Sequence, residues 1–422
     1  MKYLFFCFIL IMGVNLAIAQ SGDFNTSTMK YGQFVEFNSA RDLGMGGSGL
    51  AGADAFSALY YNPALIFGQQ KRLGLQVGVR MKKDIEDRSY PYYDSFAGFN
   101  DYGTYVYNST WYNDFYGTIV IRPGLKKLTL AAGYYPFLDF NYNYHEEVRD
   151  PVNKSDKLLG YNTIENKGTL NSIPVAAAYE IVPNLIVGTQ MAALFGSVTK
   201  DVIIDPKTTD FQHIARNETY ERTLKQTPLL FSLGLHYKLN QRAAFGVKAR
   251  LPFRLSFTQT VRNNIGDSIA MVTTSRITYP LRFAGGMEYR FKNVLEARIN
   301  LDFTYDFWSQ ADNDPSLNFR DTYTFNLGVE HLFYNYIPLR IGFLYGTMRE
   351  SADFSRSALT LGSGFNVMGA QINMAGGLST LEYYQDDLFP NSLYNFPDRT
   401  DKDRVKLTHF FLRLDVRYAL NF

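Results

Sequence analysis

The chain has 422 residues, 46% of them hydrophobic and 16% aromatic, with 42 basic and 40 acidic side chains for a formal net charge of +2. That balance excludes a nucleic-acid binder built on bulk positive charge. A single cysteine, Cys7, excludes a disulfide scaffold and a thiolate metal site, and leaves no cysteine nucleophile once the leader described next is removed.

The first residues are Met1 and Lys2, then an apolar run from Leu4 to Val14, then Ala17-Ile18-Ala19 and Gln20. A basic start, a short apolar core and a small-x-small site spell a secretory signal, so cleavage is expected after Ala19 and residues 1–19 are set apart from the fold. Cys7 lies too early to be a lipoprotein cysteine. Beyond the leader no apolar run reaches the length of about 18 residues that a membrane helix needs, and mean hydropathy is −0.18.

Residues 20–70 show no alternation. They hold a Gly-rich run with Gly44, Gly46, Gly47 and Gly49, then Asp54, then Asn62-Pro63-Ala64. Gly44, Gly46 and Gly49 match the letters of a dinucleotide fingerprint, but no strand-helix-strand unit surrounds them, so the run reads as a compact glycine loop. A short helix is expected from Asp54 to Tyr61, capped by Asp54 and stopped by Pro63.

From residue 71 onward the period is two. Phe410, Leu412, Leu414, Val416, Tyr418, Leu420 and Phe422 share one face; His409, Arg413, Asp415 and Arg417 share the other. Phe245 to Phe257, Leu281 to Phe291 and Leu295 to Phe307 repeat the pattern, with Arg250, Arg254, Arg282, Glu288, Arg290, Glu296, Arg298 and Asp302 on their polar faces. Such strands are far longer than those of a soluble sandwich. Their connections alternate short, as at Arg122-Pro123-Gly124 and Met368-Gly369, with long and polar, as near 148–167 and 386–403. An all-β, transmembrane antiparallel barrel of about fourteen strands is expected, with short periplasmic turns and both ends on the periplasmic side. Residues 71–422 would form the barrel. The inward charges would pair with one another and with residues 20–70, or the arginines would hold an anionic head group. None of the five histidines has the neighbours of a nucleophile or metal motif, so no enzyme activity and no cofactor are expected.

The Gly-rich run with Asp54 and Asn62-Pro63-Ala64 resembles the hatch signature of the FadL/TodX family. Gly133-Tyr134-Tyr135-Pro136-Phe137, the stretch from Leu301 to Ser309, and Pro338-Leu339-Arg340-Ile341-Gly342 resemble strand motifs of that family. The resemblance implies a monomeric barrel in the outer membrane of a Gram-negative cell, inserted by the barrel-assembly machinery and plugged by residues 20–70. It also implies passive transport of hydrophobic or amphipathic small molecules such as long-chain fatty acids, with Gly133 and Pro136 at a kinked strand beside a lateral opening. From the residues alone, Pro136 reads equally as a simple bulge. PorV-type barrels of type IX secretion carry a related hatch, which implies the alternative of binding exported proteins.

Overall fold

The computed structural model describes residues 24–125, 127–150, 157–263, 265, 268–292, 296–311, 319–333, 337–351 and 354–421. The expected leader, Phe422 and Asn335, where a further short connection is expected from the sequence, lie outside them. The strands are β1 (Gln33–Phe34), β2 (Leu73–Tyr93), β3 (Phe99–Ile121), β4 (Leu128–Asp139), β5 (Tyr142–Arg149), β6 (Leu158–Lys167) and β7 (Thr169–Val182). They continue with β8 (Leu185–Phe195), β9 (Ser197–Pro206), β10 (Arg216–Leu224), β11 (Leu229–Lys238), β12 (Ala243–Arg250), β13 (Phe253–Asn263) and β14 (Ser268–Tyr279). The last are β15 (Arg282–Arg290), β16 (Arg298–Asp306), β17 (Thr322–Phe333), β18 (Ile337–Thr347), β19 (Ser355–Val367), β20 (Ala370–Gln385) and β21 (Asp403–Leu420).

Fourteen of them form a ring in the order β4-β3-β2-β21-β20-β19-β18-β17-β16-β15-β12-β11-β8-β7, and a β4 to β7 pairing closes it. Every ladder is antiparallel. The alternation explains why. On β21 the outward Phe410, Leu412, Leu414, Val416 and Tyr418 are exposed, while the inward Arg413, Asp415 and Arg417 are buried. The same exposed apolar face runs through Leu75 and Val77, Leu233, Phe283, Phe303, Ile341 and Leu361. In water so large an apolar belt would be a severe liability; against lipid it is the solvated face, and closure of the ring pairs the strand edges except along β3 beyond Gly117. From Leu420 to Phe410, tilted strands rise about 25 Å, the height of an outer-membrane apolar band.

Six ring strands bend at one level into a second sheet, ordered β14-β13-β10-β9-β6-β5, which stands above the belt. Pro228, Pro252 and Pro280 sit at three of the bends, where a missing N–H interrupts the ladder. At a fourth, Gly196 takes φ +134, which an L side chain rarely tolerates. At Pro252 and Pro280 the bend also reverses which parity faces inward. Leu251-Pro252 lie between β12 and β13, so Phe253, Leu255 and Phe257 turn inward and are buried. The expectation that Phe245 to Phe257 share one lipid face is therefore corrected: it holds only as far as Leu251. By contrast β2 and β3 run on without a break for 21 and 23 residues.

The β3 to β4 ladder is short, pairing Gly117–Ile121 with Leu130–Tyr134. Above Tyr134, β4 bulges at Phe137 against β7, and its other edge is taken by β1: Gln33 pairs with Asp139 and Phe34 with Leu138. Residues 24–68 thus lie inside the ring, as helix α1 (Phe24–Tyr31), β1, helix α2 (Ala40–Gly44), helix α3 (Ala58–Tyr61) and a 3-10 turn over Pro63–Gly68. The helix expected from Asp54 begins only at Ala58. Asp54 Oδ1 instead accepts the amides of Phe56 and Ser57, at 3.1 and 3.0 Å, holding a turn ahead of the helix.

Candidate functional site

The Gly-rich run grips the barrel wall. The amides of Gly49 and Leu50 donate to one carboxylate oxygen of Asp302 on β16, at 2.5 and 2.9 Å. Successive amides aimed at one anion form a small nest, the physics by which such loops hold phosphate, here satisfied by a wall side chain. Asn326 Nδ2 donates to Gly46 O at 2.7 Å. On either side of Asp302 the wall is bare: a methyl group at Gly246 would overlap the Leu50 carbonyl, and one at Gly342 would overlap the Gly46 amide. Gly188, Gly234, Gly286 and Gly328 repeat this clearance on β8, β11, β15 and β17.

Asn62-Pro63-Ala64 is a second clamp. Asn62 is fully buried. Its Nδ2 donates to Leu50 O at 3.0 Å and to Leu235 O of β11 at 2.9 Å, while its Oδ1 accepts the Ala64 amide at 3.1 Å. One side chain therefore ties two parts of the interior segment to the wall. Pro63 starts the following 3-10 turn, where no N–H is needed.

Most of the inward charges are paired, although Lys248 meets the Tyr60 carbonyl alone and Arg250 leaves Nε and Nη2 without a hydrogen bond. Arg282 forms a two-pronged bond with Asp306 at 2.6 and 2.7 Å. Glu330 takes Arg340 at 2.6 Å, Arg298 at 2.9 Å and Arg41 of α2 at 3.7 Å. Glu288 takes Arg290 at 2.6 Å. Arg417 joins Asp54 and Asp415, and Asp415 also accepts the Ala40 amide at 2.8 Å. Arg413 donates to the carbonyls of Phe37 and Met81. Buried ions require this density of partners. Two guanidiniums, which both reach Asp306, approach the Phe34 ring of β1: Arg250 at 4.2 Å and Arg282 at 4.4 Å from the ring centre.

Two cavities flank β1. The inner one, about 180 Å³, is lined by Phe34, Tyr60, Tyr135, Phe137 and Trp308 together with Lys248, Arg250 and Arg282. The other, about 80 Å³, touches Asn108, Thr110 and Tyr112 of β3 and Asn141 to Asn143 at the start of β5. Gln33, Phe34, Val35 and Glu36 line both, so β1 is the partition. Over this stretch β3 and β5 are joined by side chains: Asn143 donates to Thr110 at 2.9 Å and the His145 amide to Asn108 at 3.2 Å.

The expected site residues thus fall in three places. Gly44, Gly46, Gly47, Gly49, Asp54, Asn62, Pro63 and Ala64 sit in the interior segment. Gly133 and Pro136 flank the end of the β3 to β4 ladder. Arg250, Arg282, Arg290, Arg298, Arg413 and Arg417 face the interior. Two charges do not. Arg254 is exposed on β13, its Nε 3.4 Å from Thr278, because the Leu251-Pro252 bend flips its face. Glu296 lies exposed in the β15 to β16 turn at φ +44. Lys248, on the same polar face as Arg250, does point inward, where it meets the Tyr60 carbonyl. Phe34 and Glu330 are important contacts that the sequence reading missed. Glu330 lies on the inward parity and could have been found; Phe34, in a segment without period, could not.

A family model described as BamG matches residues 116–280. No curated protein matches the chain. Solved structures do. The Pseudomonas putida toluene transporter TodX superposes with a TM-score of 0.61 at 13% identity, over 92% of this chain and 99% of that one. A Pseudomonas aeruginosa FadL homologue gives 0.61 at 14% identity, with the same coverage. The Ralstonia pickettii toluene transporter TbuX gives 0.58 at 15%, again over 92% and 99%. The chain has the fold of these barrels.

Proposed function

We propose that this protein is an outer-membrane barrel through which hydrophobic or amphipathic small molecules pass passively, with residues 20–70 as its hatch. The position of β1 carries the proposal. It divides an aromatic-walled cavity from a second cavity against the place where β3 leaves β4. A molecule that displaced Phe34 would move from one cavity to the other and face that seam. Because β1 pairs with two residues of β4, and the neighbouring Val35 amide adds one bond to Phe137 O at 3.0 Å, its displacement breaks few backbone hydrogen bonds. The structural neighbours' names point to aromatic hydrocarbons; the buried Lys248 and the incompletely bonded Arg250 suit a long-chain carboxylate equally.

The test is mass spectrometry of small molecules retained by the purified barrel and by its Asn62→Ala, Pro63→Ala variant. A defined hydrophobic or amphipathic compound, depleted in the variant, is the expected result. A barrel that retains none and instead co-purifies with exported proteins would favour a second reading, a secretion or assembly partner. That reading draws on the BamG match, which spans the strands of the second sheet.

A further inference from the structure

At the short-turn end the ring opens into a vestibule of about 1320 Å³, roofed by the underside of the interior segment. It exceeds the usual small-ligand pocket of roughly 300–1,000 Å³. Nine lysine and arginine side chains line it against four carboxylates, Asp54, Glu180, Glu288 and Glu330. The deep cations are engaged with three of those acids, as described above. The excess sits at the mouth, on Lys71, Arg122, Lys238 and Arg242. Among the described residues, none of these four has a carboxylate within ion-pair distance. Lys71 donates to Ala419 O at 2.9 Å and Arg122 to Gln69 O at 3.1 Å, which hold their stems to the rim. Lys238 and Arg242 are exposed.

We propose that this mouth is a docking site for an acidic segment of a periplasmic polypeptide. The four cations stand in two groups on one half of the opening, Lys71 and Arg122 at β2 and β3, and Lys238 and Arg242 at the β11 to β12 turn, with β4, β7 and β8 between them. They do not converge on one point, so an extended polyanion meets them better than a small ion does. The opening lies inside the ring of strands and faces along its axis, away from the apolar belt, so a lipid head group in the bilayer does not reach it. Charge complementarity of this kind sets association rate and partner choice, and weakens steeply with salt. The inference rests on the outer-membrane reading only for which compartment this end faces.

The test uses the full barrel in nanodiscs of zwitterionic lipid and a fluorescent twelve-residue peptide rich in Glu and Asp. Binding is expected at 50 mM salt and at least tenfold weaker at 200 mM. A Lys71→Glu, Lys238→Glu, Arg242→Glu variant is expected to bind at least tenfold more weakly, and Arg216→Glu, beyond the opposite end, as the parent does. No binding at 50 mM salt overturns the proposal, as does binding that the triple reversal leaves unchanged. Full displacement of the peptide by equimolar orthophosphate also overturns it, in favour of a small-anion site. The triple variant leaves both β1 cavities intact, so retained small molecules still report separately on the transport reading.

Discussion

At the scale of single residues, the contacts between segment and wall make sharp predictions. Asn62 satisfies three backbone groups in a fully buried site. Asn62→Ala leaves those groups unpaired, at a cost of about 1–3 kcal/mol. The segment should loosen while the ring persists: planar-bilayer conductance rises, and heat-modifiable migration on a gel is retained. Parent-like conductance would show that the clamp is dispensable. Gly246→Val forces a side chain into the Leu50 carbonyl, and overpacking of this kind costs about 1–3 kcal/mol. Faster proteolysis within residues 36–60 of the folded barrel is the expected readout; an unchanged rate would mean that the wall yields instead. The two residues also mark a limit of sequence reading. The Asn-Pro-Ala motif was visible as letters. The glycines facing it were not, because each stands in a different strand and only closure of the ring brings them to one level.

At the scale of elements, the informative ones are those that break a pattern. Fourteen spanning strands follow from the period of two, and the ring agrees. The second sheet was hidden because the inward parity runs straight through the Gly196 and Pro228 bends, and where it reverses, at Pro252 and Pro280, the alternation on either side still looks unbroken. Pro136 is such a break with a consequence for passage. Pro136→Ala restores an N–H near the Phe137 bulge and favours a longer β3 to β4 ladder. Uptake of a labelled hydrophobic probe into liposomes should slow severalfold, and undiminished uptake would count against passage beside β4. The loop before β21 supplies a pH test. Its Tyr394 hydroxyl donates to Asn162 at 3.1 Å, and Asn162 in turn donates to Glu146 of β5 at 3.2 Å. Burial, and then the Asp387 carboxylate, push Glu146 up from 4.5 to about 7. The docked state therefore binds this proton more tightly than the undocked one. Its contribution is complete below pH 4.5 and is lost as pH rises through about 7. Hydrogen exchange in residues 386–402, corrected for intrinsic rates, should be faster at pH 8 than at pH 5, and Glu146→Gln should abolish the difference. Equal protection at both pH values in the parent would refute the assignment.

At the scale of the whole molecule, the barrel is a wall folded around its own first residues. The sequence showed both the wall and a non-periodic start, but their fit depends on pairs hundreds of positions apart, which no local pattern encodes. Deleting residues 20–64 should raise conductance in planar bilayers by far more than any point change; a silent deletion would show that the segment does not obstruct the lumen. The partners of that segment on β21 have one more consequence. Arg413, Asp415 and Arg417 bind Phe37, Ala40 and Asp54, and the same strand zips to β2 to close the ring. Residues 37–54 are thus fastened by a strand more than 360 positions further along the chain. Contacts of such long span are slow to form. Until β21 pairs with β2, those arginines and carboxylates stay in water and apart. Closing the wall and seating the segment are therefore coupled, and the strand that shuts the ring also locks what it holds.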